Sequence, residues 1–211
     1  RREQQKRRLR ELELTAIRSQ MNPHFLFNSL NSVQNLVQQN KGREAHLYLA
    51  DFAGLIRKVL QNSEREEVSL AEELEMVQQY LNLEKLRFDF DFSISVPENV
   101  DANNTMVPSL LLQPFAENAV IHGLQHKQGK RHLKINVSRE NSGIKIEIED
   151  NGIGRIAAKQ FATEKNGKSS KLMKERLEIL QQKQGEKYNL ELIDFKGEPP
   201  GTRVEINIPE E

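Results

Sequence analysis

From about residue 3 to residue 40, strong helix formers alternate with apolar positions at helical spacing. Leu14, Ile17, Met21 and Phe25 make one stripe; Leu26, Leu30, Val33 and Val37 make a second, rotated from the first. The change of face falls at Pro23, which cannot donate to the carbonyl of Ser19 and whose ring crowds that turn, so the pattern predicts a kinked helix. Asn40-Lys41-Gly42 ends it, with Gly42 read as the left-handed cap. A second helix is predicted from Arg43 to about Gln61, turning Leu47, Ala50, Gly54, Leu55 and Val59 inward with Phe52 flanking. Phe25 and Phe27 read as core residues of a helix bundle. Two such helices bury little surface alone and suit half of a four-helix dimer better than a free-standing unit.

The most polar break is Asn62-Ser63-Glu64-Arg65-Glu66, which places a domain boundary between residues 1–63 and 64–211. Ser69-Leu70-Ala71-Glu72 is a capping box opening a helix to about Leu86. Asp89 to Val96 alternates (Phe90, Phe92, Ile94, Val96) and reads as a strand stopped by Pro97. A helix follows from about Ser109 to His122, then strands His132 to Arg139 and Ile144 to Glu149 around an Asn141-Ser142-Gly143 turn. A helix from about Leu172 to Gln182 precedes strands Asn189 to Phe195 and Arg203 to Ile208. The order predicts an α+β chain: a two-helix domain, then an α/β sandwich.

Composition narrows the function classes. The 211 residues contain no cysteine, which removes disulfides and thiolate metal sites. Lys and Arg (31) balance Asp and Glu (31), so no global field draws the chain to nucleic acid, and the absence of tryptophan disfavours base stacking. No apolar run reaches the roughly 18–20 residues of a membrane span. The first residues are basic (Arg1, Arg2, Lys6, Arg7, Arg8, Arg10), which fits either a solvated helix face or the cytoplasmic flank of a membrane span upstream of residue 1.

Candidate chemistry gathers in two places. Asn22-Pro23-His24-Phe25-Leu26-Phe27-Asn28 sets one imidazole just after the proline. Asn28 lies one turn past His24 on the same face, where its amide either positions water or bonds within the kink. Farther on, Leu112, Phe115 and Ala119 form a buried stripe, and Asn118 and His122 share another face. Asn118 offers a hard amide oxygen of the kind Mg²⁺ accepts beside substrate phosphates. Asp150-Asn151-Gly152-Ile153-Gly154 follows a strand; alone it reads as an ordinary turn, but a carboxylate there can accept from a donor such as an adenine amino group while glycines admit a ligand closely. His46, His126 and His132 lack metal-like spacing.

Glu117-Asn118-Ala119-Val120-Ile121-His122-Gly123 resembles the N box of histidine-kinase-type ATPases, Asp150 to Gly154 resembles their G1 box, and Gly201-Thr202-Arg203-Val204 resembles their late Gly-Thr element. The His24 segment with Ser29-Leu30-Asn31-Ser32 is similar to the phosphoacceptor segment of LytS-type sensor histidine kinases. So are Leu74 to Phe88 and Pro108-Ser109-Leu110-Leu111-Leu112-Gln113-Pro114. The resemblance runs from about Leu14 onward. It implies a dimerisation and phosphotransfer domain (residues 1–63) followed by a Bergerat-type ATP-binding domain (64–211). His24 would accept the phosphoryl group, Asn118 would hold Mg²⁺, Asp150 would read adenine, and Thr202 would help close the pocket. Gly152 and Gly154 would flank the nucleotide, with His122 and Gly167 also at the site. It further implies a homodimer, a response-regulator partner and a membrane-anchored parent in the cell inner membrane. Glu117 is either a base or a structural or Mg²⁺-supporting residue.

The pattern departs from the family in the lid, where Ser169 stands at a glycine position and Gly167 alone is flexible, and at Ile121, which replaces a frequent lysine. Arg176 is read as either a phosphate contact or a solvent-facing ion pair. These departures motivate an alternative to the kinase, a dimeric signalling scaffold that binds nucleotide but transfers weakly.

Overall fold

Two helices open the part of the chain that the structure, a computed structural model, describes: residues 23–140, 143–158, 189–195 and 200–209. The chain before Pro23, Asn141-Ser142 of the expected turn, the helix expected from Leu172 to Gln182, and Gly167, Ser169 and Arg176 lie outside the described residues. Helix α1 (Pro23–Gln38) is joined by a short turn to α2 (Gly42–Ser63). The left-handed residue of that turn is Asn40 (φ 59°), not Gly42, which instead begins α2. Asn40 N–H donates to Val37 O at 3.0 Å and Lys41 N–H to Leu36 O at 2.9 Å, a Schellman pair that closes the helix with asparagine in the position glycine more often holds.

The face that α1 buries also differs from the predicted one. Phe25 and Ser29 are buried, with Val33 and Leu36 packed beside them, whereas Leu30 and Val37 are more than half exposed and Phe27 is 67% exposed. On α2 the buried residues are Ala45, Tyr48, Leu55, Val59 and Asn62, while Leu47 and Ala50, expected inside, are exposed. The reason is aromatic packing that a single-helix pattern does not reveal. Phe25 lies 5.7 Å from the Phe52 ring and 5.4 Å from Tyr80 on the next helix, and Tyr48 Oη donates to Ser29 Oγ at 3.3 Å. The hairpin therefore turns its aromatic side to the rest of the chain and leaves a second apolar side outward.

Strand β1 (Glu67–Ser69) pairs antiparallel with β3 (Met106–Pro108), a two-stranded sheet too short to announce itself by alternation. Helix α3 (Leu70–Lys85) begins with the expected capping box: Ser69 Oγ accepts from Glu72 N–H at 3.2 Å and Glu72 Oε2 accepts from Ser69 N–H at 2.9 Å. Strands β2 (Asp91–Ser95), β4 (His132–Glu140), β5 (Gly143–Asp150), β6 (Asn189–Phe195) and β7 (Gly201–Pro209) form a sheet in the order β2-β4-β5-β7-β6. β2 runs parallel to β4 and the remaining pairs are antiparallel. One face is apolar (Leu133, Ile135, Ile144, Ile146, Ile148, Val204, Ile206), and the other carries Lys145, Glu147, Glu149, Arg203 and Glu205 in ion pairs.

The helix expected from Ser109 starts later and ends later. Helix α4 (Gln113–Asn118) passes directly into a π-helical turn (Ala119–Leu124). Residues 109–112 form a separate bend with Leu110 left-handed at φ 59°, because the Leu110 and Leu112 N–H groups bond to Glu73 of α3 rather than to helix carbonyls. Buried apolar residues run without interruption from Phe25 through α3 to Ile208. A short helix α5 (Gly154–Ala158), which the sequence pattern did not predict, follows β5.

Because the Asn40 backbone is left-handed, Asn40→Val should destabilise the chain by about 1–2 kcal/mol while Asn40→Gly leaves it within about 0.5 kcal/mol, measured by urea unfolding.

Candidate nucleotide site and the histidine-bearing helix

Asp150 is the last residue of β5, opposite Leu133 of β4 on one side and Thr202 of β7 on the other. Its carboxyl is 4% exposed and its Oδ1 accepts the Gly152 N–H at 2.8 Å, leaving Oδ2 an open acceptor among the described residues. Three glycines make this close packing possible. A Cβ on Gly123 would lie 2.5 Å from Asp150 Oδ1, one on Gly152 would lie 2.3 Å from the Gly123 carbonyl carbon, and one on Gly201 would lie 2.3 Å from the Asp150 carbonyl oxygen. Three segments distant in sequence thus meet backbone to backbone around one carboxyl group. The π turn carries Gly123 into this contact, and its carbonyl accepts the Ile153 N–H at 3.2 Å. Gly154, with φ of +74°, starts α5 in a conformation other residues rarely take.

Asn151 fastens the same loop from the other side. Its Oδ1 accepts the His132 N–H at 2.8 Å, its Nδ2 donates to Lys130 O at 3.2 Å, and Lys127 Nζ donates to its carbonyl. Sequence reasoning gave Asn151, Lys127 and Gly123 no separate role; an Asx residue inside a turn motif was the available signal for the first.

Burial pushes the Asp150 carboxyl from 3.8 up to about 7, with the Gly152 N–H opposing and Glu149 adding to the rise. Beneath α4 a second buried group of acids forms. Burial, helped by the negative Glu84, lifts Glu117 from 4.5 to about 8. Burial also raises Glu84 itself, against the pull of Arg87, whose Nη1 donates to both Glu84 oxygens at 2.6 and 2.7 Å. Tyr80, fully buried and raised by burial and by both glutamates, lies between this group and the Phe25 ring. Tyr80 Oη, Gln113 Oε1 and Glu117 Oε1 are buried without hydrogen-bond partners, an unusual concentration for a native interior. Burial beside Glu84 thus favours the protonated form of Glu117.

The structure brings Asp150, Gly152, Gly154 and Thr202 together with the segment of Asn118 and His122, both half-buried. Asn118 ends the regular α turns and His122 sits in the π turn next to Gly123. Among the described residues no three His, Cys, Asp or Glu side chains gather as a metal cage; the half-buried Asn118 carries an amide oxygen, a donor type that Mg²⁺ accepts. Gly167 lies outside the described residues. His24 is on the first turn of α1, and its side chain is likewise outside them; its neighbour Phe25 anchors that turn to α3. Asn28 is half-buried and its carbonyl accepts the Ser32 Oγ–H at 3.0 Å.

A family model described as histidine kinase matches residues 12–92. The sensor histidine kinase BtsS of Escherichia coli K12 is 31% identical over 210 residues, which is 98% of this chain and 35% of that protein. The sensor histidine kinase/phosphatase LytS of Staphylococcus aureus is 34% identical over 155 residues, 72% of this chain and 26% of that protein. A solved histidine kinase domain from the Erythrobacter litoralis blue-light activated enzyme superposes on 85% of this chain, covering 93% of its own, with a TM-score of 0.47 and 13% identity, so loosely that the fold rests on this chain's own topology. The matches are to histidine kinases. The chain carries a histidine kinase region of LytS type, and it spans about a third or less of the length of the curated relatives it matches.

Two outcomes follow from the geometry. Gly152→Ala, which sets a Cβ against backbone, should cost about 3 kcal/mol, and Gly123→Ala less, because it meets the movable end of Asp150; urea unfolding separates them. The raised acids make the second outcome one of pH. Between about 4.5 and 8 the folded chain keeps the Glu117 proton that the unfolded chain has lost, so this contribution to stability is present at low pH and disappears as pH rises through 8. Glu117→Gln should therefore gain on the parent protein by on the order of 2 kcal/mol between pH 5 and pH 8.5, read from unfolding midpoints across that range.

Proposed function

We propose that this chain is the catalytic region of a two-component sensor kinase: it transfers the γ-phosphoryl group of ATP to His24 and then to an aspartate of a response regulator. The observation that carries the reading is the buried, glycine-walled carboxyl of Asp150, with one oxygen open as an acceptor, in a chain whose first described helix bears His24. The likeness of 98% of the chain to a sensor histidine kinase supports it.

In this reading residues 1–63 form the dimerisation and phosphotransfer helices and residues 64–211 bind ATP. Asp150, when ionised, accepts the adenine amino group, and Gly152, Gly154 and Thr202 border the base. Asn118 supplies an amide oxygen to Mg²⁺, which would neutralise phosphate charge, and His122 and Gly167 border the phosphates. Neutral His24 attacks the γ-phosphorus through its unprotonated nitrogen, the bond to the β-phosphate oxygen breaks, and ADP leaves with the electron pair. The proton lost from the imidazole needs an acceptor. Glu117 in its ionised form is the motif carboxylate that could take it, and its proton affinity near neutral pH suits that exchange. Asn28 would position water when phosphohistidine is hydrolysed.

The outward apolar side of the hairpin, Phe27, Leu30, Val37 and Leu47, supports assembly of two chains into a four-helix bundle. Among the described residues no helix is long and apolar enough to cross a membrane, so the inner-membrane anchor proposed for the parent protein would lie elsewhere.

Incubation with Mg-ATP should place an acid-labile, alkali-stable phosphoryl group on the protein. His24→Gln should remove it, and Asp150→Asn should weaken ATP binding by about tenfold or more. Labelling that survives in the His24 variant would refute the assignment, and ATP binding without labelling in the parent protein would select the scaffold instead.

A further inference from the structure

Four consecutive residues, Ser109 to Leu112, connect three helices. Glu73 of α3 is fully buried, and its two carboxyl oxygens accept the N–H groups of Leu110 at 2.5 Å and of Leu112 at 3.1 Å. Leu112 is the N-cap of α4, yet no side chain of its own region caps that helix, and Pro114 takes up its first turn. By accepting the N–H of the N-cap residue Leu112, Glu73 does from a neighbouring helix what the third-position carboxylate of a capping box does locally. It also fastens Leu110, a buried leucine at φ +59°, a conformation that persists only where the surroundings over-determine it. On the other side of the bend, Ser109 Oγ donates to Asn62 O in the last turn of α2 at 2.5 Å, and Ser109 N–H donates to Glu66 O at 3.0 Å. The helical segment from Gln113 to Leu124 is continuous, so a displacement at Leu112 is carried to Glu117 and Asn118.

We propose that Glu73 is a positioning residue for the helix bearing Glu117 and Asn118, acting through Leu110 and Leu112, and that Ser109 makes the placement of this helix follow the last turn of the hairpin that carries His24. The first half is a statement about the helix; the second rests on the kinase reading above. Nothing in the relation of His24 to the site requires Glu73 to touch substrate. Its effect is to fix where the helix begins, and Ser109 supplies a direct hydrogen bond from that bend to a carbonyl of α2.

Amide hydrogen exchange on the whole chain without nucleotide tests the first half. Glu73→Gln, which loses one acceptor, should speed exchange at Ala116–Val120 by about tenfold while β4 stays protected. Equal exchange in variant and parent overturns the proposal. If the sheet also opens in Glu73→Gln, Glu73→Asp, with both oxygens a methylene short, takes its place under the same criterion. For the second half, Ser109→Ala should keep ADP affinity within about twofold and slow His24 labelling at saturating ATP by about fivefold or more. Labelling at the parent rate overturns the linkage. A parent protein that binds no ADP would refute the kinase reading, and the exchange measurement would still decide the role of Glu73.

Discussion

At the end of β5 one carboxyl group is enclosed by backbone from three places in the chain, and its enclosure depends on the absence of side chains at Gly123, Gly152 and Gly201. Any Cβ at these positions would overlap backbone or the Asp150 carboxyl, so the π turn, the loop after β5 and the start of β7 could not approach together. The approach has two consequences. It excludes water from Asp150 enough to lift its proton affinity toward neutrality, and it couples the position of the N-box segment to the sheet. A helix placed loosely over the strand ends would do neither.

The same helical segment has a buried lower side. Tyr80, Glu84, Gln113 and Glu117 form a polar layer between α3 and α4, satisfied only in part by Arg87, while Phe25 closes it from the direction of the histidine-bearing helix. Incompletely paired polar groups weaken an interior, and their retention in so well packed a core is the sort of local conflict expected where chemistry rather than stability decides. The hairpin is joined to this region by Phe25 on Tyr80, by Lys58 on Glu75 at 2.7 Å and by the Ser109 bond to Asn62, so motion of the two helices has physical routes to the segment of Asn118.

Much of the fold was legible because its signals are local. The capping box at Ser69, the alternation of β4 and β5, and strand β6 reflect short-range periodicity and turn chemistry, and the structure places them where that periodicity does. The misreadings share one cause. Gly42 was the residue best suited to a left-handed cap, yet Asn40 took it because the Schellman bonds close two residues earlier. Leu30, Val37 and Leu47 have the right hydropathy for a core, yet Phe25 took the inward face through ring contacts with Phe52 and Tyr80, and Tyr48 is buried there with its hydroxyl on Ser29. Helix α4 lost its first turn to Glu73, a residue about forty positions earlier.

The amino-acid order by itself determined the longer helices and strands, the chemistry-bearing motifs and their family resemblance, because each is a matter of residue type at short spacing. Which apolar side of α1 faces inward, how Glu73 sets the start of α4, and how strongly Asp150 and Glu117 hold their protons were decided only by the tertiary structure. Burial, desolvation and contact between remote backbones depend on what lies across the core, and no local pattern encodes that.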